Sequence, residues 1–180
     1  MAIIRGTFRN DHLTGSNDDD KIYGFQGNDT LFAGLGHDTL IGGSGADTFV
    51  LTYNTDGTIN NTDLPDYKQG EDDILFHYSN HLPSDHGNLP GNPTNRPGEF
   101  IYDSLTGAFL YDVDGTGMAE PVQIATLPTG LALNNKDISV IDSRALGSSP
   151  LTDISVSDIT KLDFSPSTDI FVSNITTLGY

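Results

Sequence analysis

The sequence predicts an all-β protein, in which an N-terminal parallel β-roll is followed by an antiparallel β-meander or sandwich-like module. The first observation behind this fold class is a nine-residue repeat that runs without gaps through residues 6–50. The second is an alternation of apolar and polar residues through residues 99–127, around turns that contain glycine. The third is that most acidic residues are Asp set among Gly and Asn, where helices are disfavoured.

The repeat divides into five units with the sequences GTFRNDHLT, GSNDDDKIY, GFQGNDTLF, AGLGHDTLI and GGSGADTFV. Position one is small in every unit, and position four is glycine in the last three. Position six is aspartate in all five units, at Asp11, Asp20, Asp29, Asp38 and Asp47. Position eight is apolar in all five units, at Leu13, Ile22, Leu31, Leu40 and Phe49.

Elementary geometry converts this repeat into a coil. Six glycine-rich residues make a tight turn, and three residues around one apolar side chain make a minimal strand that points inward. Two units close one coil, and successive coils stack at the strand spacing of about 4.8 Å. Turns two units apart then lie on the same edge and present carboxylate and carbonyl oxygens. A flexible cage of six to eight oxygens is the coordination that Ca²⁺ takes, whereas Mg²⁺ requires a stricter octahedron.

These units resemble the RTX (repeats-in-toxin) nonapeptide G-G-x-G-x-D-x-U-x, which GGSGADTFV matches at every specified position. The resemblance implies Ca²⁺ as cofactor, bound by the position-six carboxylate and by main-chain carbonyls near positions two and four. The implied ligand sets are Asp11 with Thr7 and Arg9, Asp20 with Ser16 and Asp18, Asp29 with Phe25 and Gly27, Asp38 with Gly34 and Gly36, and Asp47 with Gly43 and Gly45.

Pairing turns on the same edge predicts three complete sites, formed by units one with three, two with four, and three with five. The favoured site joins residues 24–29 with 42–47, because Arg9 and Asp18 replace the glycine of the family pattern. The alternative is a set of ordinary turns in which each Asp bonds its own backbone. Five such turns in strict nine-residue register favour the metal site.

Residues 63–76, DLPDYKQGEDDILF, resemble the segment that follows the repeats in serralysin-type proteases and related exoproteins. The resemblance implies that Asp72 closes the last calcium site. The alternative is an acidic turn between two edge strands.

Two other patterns match metal-binding motifs only in part. His77, His81 and His86 have metal-like spacing, but prolines and glycines make residues 83–98 a loop, so exposed loop histidines are favoured. Asp112 opens a D-x-D-G stretch like that of an EF-hand, yet the twelfth position holds Gln123 rather than Glu, which favours a hairpin turn.

Residues 99–127 are predicted to form a β-meander, and residues 136–141 one more strand. The meander resembles a segment found downstream of RTX repeats. Its aromatic residues are interpreted as core and cross-strand partners rather than as a ligand-binding ladder; they are Phe100, Tyr102, Phe109 and Tyr111.

The C-terminal tail repeats itself, because TDISVSDIT at 152–160 recurs as TDIFVSNIT at 168–176. It is predicted to be either an uncleaved type I secretion signal or extra strands. The predicted organisation is a roll with its cap at 1–62, a capping segment and loop at 63–98, the antiparallel module at 99–145, and the tail at 146–180.

Charge and composition limit the function. With 25 acidic residues against 8 basic ones, the net charge of −17 excludes binding to nucleic acid through a basic face. The chain has no cysteine, no N-terminal signal peptide and no apolar run of the roughly 18 residues that a membrane span needs.

No nucleophile–base pair, phosphate loop or zinc-protease helix occurs in the sequence, which predicts that the chain is not an enzyme. The predicted function is calcium binding by a secreted or cell-surface bacterial protein with a structural, adhesive or calcium-storing role. Its predicted partners are calcium ions and the type I secretion machinery, with a cell-surface polysaccharide as a further candidate. The alternative is a non-catalytic C-terminal module of a larger exoenzyme, such as a protease, lipase or alginate epimerase.

Overall fold

The computed structural model describes residues 1–54, 60–79, 99–112, 120–134, 136–142 and 171–175. These ranges contain strands and turns, and no helix. The strands are β1 (Ile3–Arg5), β2 (His12–Thr14), β3 (Lys21–Gln26), β4 (Thr30–Phe32), β5 (His37–Ser44), β6 (Thr48–Asn54), β7 (Asn61–Asp63), β8 (Asp73–Ser79), β9 (Glu99–Asp103), β10 (Ala108–Asp112), β11 (Val122–Thr126), β12 (Ile138–Asp142) and β13 (Phe171–Ile175).

The repeat region forms a two-sheet roll. One sheet has eight strands in the order β1-β3-β5-β7-β11-β10-β9-β13. The other has five strands in the order β12-β8-β6-β4-β2. Within the repeats each strand pairs in parallel with the strand two units later, so Ile22 lies beside Leu40 and Leu31 beside Phe49. This is the eighteen-residue coil that the repeat requires, and the predicted parallel β-roll is confirmed.

The position-eight side chains fill the interior between the two sheets. Ile22, Leu31, Leu40 and Phe49 are fully buried, and Leu13 packs against them while partly buried. One apolar side chain per three-residue strand is enough because the facing strand supplies another at the same level.

The C-terminal strands extend both sheets of the roll. β9, β10 and β11 form the predicted antiparallel meander. β11 then pairs in parallel with β7, and β12 pairs in parallel with β8. The predicted antiparallel part is therefore present only in part, since its outer strands join the roll through parallel ladders.

The core runs continuously from the repeats into the meander. Phe49 packs edge-on against Tyr67, with ring centroids 6.2 Å apart. Further along, Phe76 of β8 packs edge-on against Phe100 of β9 at 4.9 Å. The four aromatic residues predicted as core and cross-strand partners are all buried, which confirms that interpretation; they are Phe100, Tyr102, Phe109 and Tyr111.

Residues 63–76 connect two interior strands, β7 and β8. β7 has β5 and β11 as neighbours, and β8 has β6 and β12, so the alternative of an acidic turn between edge strands is wrong. The prediction of an exposed loop position for His77 is also wrong, because His77 belongs to β8 and is buried. His81 and His86 lie outside the described residues, as does the loop that follows Asp112.

The second copy of the tail repeat contributes a strand. β13 pairs in parallel with β9 and ends the larger sheet, which agrees with the predicted extra strands. The first copy, at 152–160, lies outside the described residues. Nowhere in the described part of the chain is there a helix long and apolar enough to cross a membrane.

Candidate metal centre

The repeat turns stack in the three predicted pairs. A methyl group placed on Gly45 would lie 2.1 Å from the carbonyl oxygen of Gly27, and one on Gly34 would lie 2.1 Å from that of Ser16. A methyl group on Gly27 would lie 2.7 Å from the carbonyl oxygen of Arg9. Position-four and position-two backbones of paired turns are therefore in direct contact, which brings the predicted carbonyl ligands together at each edge.

The position-six aspartates form a ladder along each edge. The backbone N–H of Asp11 donates to Asp29 Oδ1 at 2.8 Å, and that of Asp29 donates to Asp47 Oδ1 at 2.9 Å. On the other edge, the N–H of Asp20 donates to Asp38 Oδ1 at 2.8 Å. One oxygen of each of these three carboxylates is thus fixed by the backbone of the preceding turn.

Asp72 extends the first ladder although it lies 25 residues after Asp47. The N–H of Asp47 donates to Asp72 Oδ1 at 3.0 Å, and the N–H of Lys68 donates to Asp72 Oδ2 at 2.8 Å. Residues 67–75, YKQGEDDIL, carry Gly70, Asp72 and Ile74 at the fourth, sixth and eighth positions of a nonapeptide. They form a displaced repeat unit that a search in strict nine-residue register misses.

Asp66 also contacts this site, and unlike Asp72 it was not predicted from the sequence as a site residue. Its carboxylate accepts hydrogen bonds from the N–H of Gly42 at 3.2 Å and of Gly43 at 2.8 Å. Lys68 also reaches this turn, because its Nζ donates to the carbonyl oxygen of Gly43 at 3.2 Å. No spacing rule pointed to either contact, since both depend on how residues 60–72 return to the roll.

The second carboxylate oxygens differ from turn to turn. Asp29 Oδ2 and Asp38 Oδ2 are buried and have no hydrogen-bond partner. Asp11 Oδ2 accepts from the N–H of Thr7 at 2.5 Å and from its Oγ1 at 2.8 Å. Asp20 Oδ2 accepts in the same way from the N–H of Ser16 at 2.8 Å and from its Oγ at 2.7 Å. A buried carboxylate oxygen without a donor is costly, and a bound cation removes that cost.

The pKa values report the same crowding of buried carboxylates. Burial raises the pKa of Asp38 to about 6 against the opposing hydrogen bond from the Asp20 N–H, and raises the pKa of Asp47 to about 6 against that from Asp29. Burial also raises the pKa of Asp29 and of Asp72. Burial alone would raise the pKa of Asp20 too, but hydrogen bonds from Ala2 and Ser16 outweigh it and lower that pKa.

The donor set fits a hard cation bound mainly by the backbone. Among the residues that the structure describes, no three His, Asp or Glu side chains converge as a side-chain metal site. A cage here would therefore combine the aspartates with main-chain carbonyl oxygens, an all-oxygen set of the kind that Ca²⁺ takes. The side chains of His12 on β2 and His37 on β5 are exposed.

Replacing Gly24 by alanine should disturb the favoured turn pair. The added methyl group would lie 2.3 Å from Asp29 Oδ2 and 2.6 Å from the carbonyl oxygen of Gly42. We expect a loss of about 1–3 kcal/mol in the free energy of unfolding with calcium bound, measured by urea denaturation. Gln26→Ala is the control because Gln26 is exposed on β3, the same strand, and its truncation adds no atom to the turn. Equal losses in the two variants would contradict the steric argument.

Comparisons with known proteins gave matches of two kinds. The family model that describes four copies of the RTX calcium-binding nonapeptide repeat matches residues 5–40 and 23–51. The chain is similar to the solution structure of the AlgE6R3 subunit from the Azotobacter vinelandii mannuronan C5-epimerase, with 21% sequence identity and a TM-score of 0.41. That match covers 84% of this chain and 87% of the other. No curated protein sequence matches the chain. Residues 5–51 thus match the RTX repeat, which binds Ca²⁺. This match confirms the predicted resemblance to RTX repeats and the predicted calcium cofactor.

Proposed function

We propose that Ca²⁺ binds between the stacked turns of the roll and that its binding drives the roll to fold. The carboxylate ligands in this proposal are Asp29, Asp38 and Asp47, and the stacked turns add the carbonyls at positions two and four. The observation that carries the proposal is the pair of buried carboxylate oxygens, Asp29 Oδ2 and Asp38 Oδ2, that have no donor from the protein. Each lies in a turn stacked on another turn, and the backbone carbonyls of the paired turns are close enough to supply further oxygen ligands.

Charge repulsion supports the coupling of binding to folding. The chain carries a net charge of −17. In each ladder, the carboxylate of one aspartate accepts a hydrogen bond from the backbone N–H of the aspartate in the preceding coil, which brings acidic residues of successive coils close together. Without a cation, these carboxylates repel one another while three-residue strands supply little core. Binding to the folded state alone then contributes its free energy to folding.

Calcium concentration sets where the protein folds in this proposal. Extracellular-type sites bind at about 10⁻⁴ to 10⁻³ M, so millimolar calcium contributes on the order of 1 kcal/mol per site. Submicromolar calcium contributes almost nothing. The chain is then unfolded in a low-calcium cytosol and folds outside, which suits a secreted or cell-surface protein.

The role proposed for the folded protein is structural, adhesive or calcium-storing, and non-catalytic. A second candidate is a non-catalytic module of a larger exoenzyme, which is favoured by the way the meander strands extend the sheets of the roll as one support. Expressing the chain with and without the sequence that flanks it in its gene, and assaying both for polysaccharide binding and hydrolysis, distinguishes these roles. A hydrolytic activity of this chain alone would contradict the non-catalytic role.

A calcium titration followed by far-UV circular dichroism tests the proposed function. We expect a cooperative change from coil to β-structure as calcium rises into the millimolar range, with reversal by EGTA. Magnesium is the matched control and should produce no such change at equal concentration, because it does not suit a flexible cage of seven or eight oxygens. A spectrum that EGTA leaves unchanged, or that magnesium changes equally, would contradict calcium-coupled folding.

A further inference from the structure

The turns of the roll belong to two classes that are distinguished by the residue at position two. In the turns 25–29, 34–38 and 43–47, position two has a positive φ, of 80° at Phe25, 92° at Gly34 and 101° at Gly43. Phe25 is the only non-glycine residue with a positive φ in the described part of the chain. We call these three the open turns.

In the other three turns that the structure describes, position two has a negative φ and its N–H donates to the aspartate of its own turn. The donors are Thr7 to Asp11 Oδ2 at 2.5 Å, Ser16 to Asp20 Oδ2 at 2.8 Å, and Lys68 to Asp72 Oδ2 at 2.8 Å. We call the turns 7–11, 16–20 and 68–72 the closed turns. In each, the separation of four residues between donor and aspartate is the same.

Side chains of the closed turns add a second donor at each end of the roll. The hydroxyl groups of Thr7 and Ser16 also donate to the aspartates of their turns, and they accept from the N–H groups of Arg9 and Asp18 at 3.2 Å. At the other end, the Lys68 ammonium donates to the Gly43 carbonyl, one of the predicted calcium ligands. The positively charged Lys68 side chain thus contacts a carbonyl oxygen in the pair formed by the turns 43–47 and 68–72.

The open turns lack these donors. Asp29 Oδ2 and Asp38 Oδ2 are unpaired, and the N–H of Gly43 donates to Asp66 instead of to Asp47. A positive φ at position two costs a non-glycine residue of order 1 kcal/mol or more, and Phe25 retains it with an exposed side chain. The turn 25–29 therefore keeps its open conformation at the expense of backbone strain at Phe25. The open conformation leaves the carboxylate of the turn available to a ligand.

We infer that calcium is required by the open turns in the middle of the roll, and that the closed turns at its two ends are held by the protein's own donors. This inference rests on the proposed function. Among the described turns, the single pair formed by two open turns, 25–29 with 43–47, is then the strongest site. The two ends of the roll are the parts that keep their turn geometry when calcium falls.

Counting bound calcium in matched Asp→Asn variants of the full chain tests this inference. Equilibrium dialysis at saturating calcium should show that Asp29→Asn and Asp38→Asn each lose bound calcium, or fail to fold. Asp11→Asn and Asp20→Asn should fold and keep the wild-type number of ions. Equal losses in all four variants, or a loss confined to Asp11→Asn and Asp20→Asn, would overturn it. A wild-type chain that binds no calcium would instead overturn the proposed function itself.

A second pair of variants tests the closed class from the other direction. Ser16→Gly removes the hydroxyl donor and gives turn 16–20 the glycine of an open turn, while Ser16→Thr keeps a hydroxyl. We expect Ser16→Gly to raise the calcium midpoint of folding several-fold, and Ser16→Thr to leave it near the wild-type value. Identical midpoints for Ser16→Gly and the wild type would overturn the role of the hydroxyl group.

Discussion

Phe100→Ala is expected to destabilise the whole calcium-bound protein, including the repeat region, by about 3–5 kcal/mol. Phe100 is buried and contacts Phe76 of β8 at 4.9 Å, Tyr111 at 5.1 Å and Phe109 at 5.5 Å between ring centroids. β8 pairs in turn with β6 of the repeats. Removal of the Phe100 ring leaves a cavity at the point where the meander and the roll share one core.

The measurement for Phe100→Ala is a pair of urea-denaturation curves in saturating calcium, one from circular dichroism and one from hydrogen exchange of repeat-region amides. Both curves should shift together if the roll and the meander unfold as one unit. Leu105→Ala is the control, since Leu105 is exposed in the turn between β9 and β10, and it should change stability by less than about 0.5 kcal/mol. Repeat amides whose protection is unaffected by Phe100→Ala would show that the predicted modules fold independently.

The repeat region could be predicted in detail because its rules are local. Position eight must point inward, and position six must return every eighteen residues to the same edge. The structure accordingly buries Ile22, Leu40 and Phe49 and aligns Asp29 with Asp47. No knowledge of distant residues is needed for either prediction.

The rest depended on contacts between segments that are distant in sequence. Residues 60–66 do not follow the nine-residue repeat and shift its register, so the displaced unit around Asp72 was found only by resemblance and Asp66 was not predicted as a site residue. The meander was predicted from its alternation, but alternation does not identify the outside partner of a strand. The parallel pairing of β11 with β7 therefore could not be inferred, and neither could the burial of His77 in β8.

The two turn classes illustrate a signal that was present in the sequence and was not used. Position two is Thr or Ser in the first two units and Phe or Gly in the next three. Ser and Thr bond to nearby backbone and carboxylate groups in turns, whereas glycine permits positive φ. Phe25 breaks this rule, and only the structure shows that it adopts the glycine conformation.

Acid should weaken calcium binding and stabilise the metal-free fold. Burial raises the pKa of Asp38 and Asp47 to about 6, above the ordinary value of 3.8 that applies in the unfolded chain. A group whose pKa is raised by folding binds its proton more tightly in the folded state. Its contribution to the stability of the metal-free protein is thus fully present below about pH 4 and is lost as the pH rises through 6.

Calcium reverses this dependence because it binds only the ionised carboxylates, so protons and calcium compete for Asp38 and Asp47. We expect the stability that saturating calcium adds to the fold to shrink as the pH falls from 7.5 to 5.0. Protonation stabilises only the metal-free fold in this range, because the calcium-bound fold and the unfolded chain both keep these carboxylates ionised above about pH 4. Urea denaturation with and without calcium at several pH values, read by circular dichroism, measures it. Asp103→Asn is the control: hydrogen bonds from Thr106 and Leu105 lower the pKa of Asp103, which lies in β9 and outside the repeat turns, so its removal should leave the pH profile unchanged. A calcium-dependent stabilisation that is the same at pH 5.0 and 7.5 would mean that the buried aspartates do not bind the metal, whatever else holds the roll together.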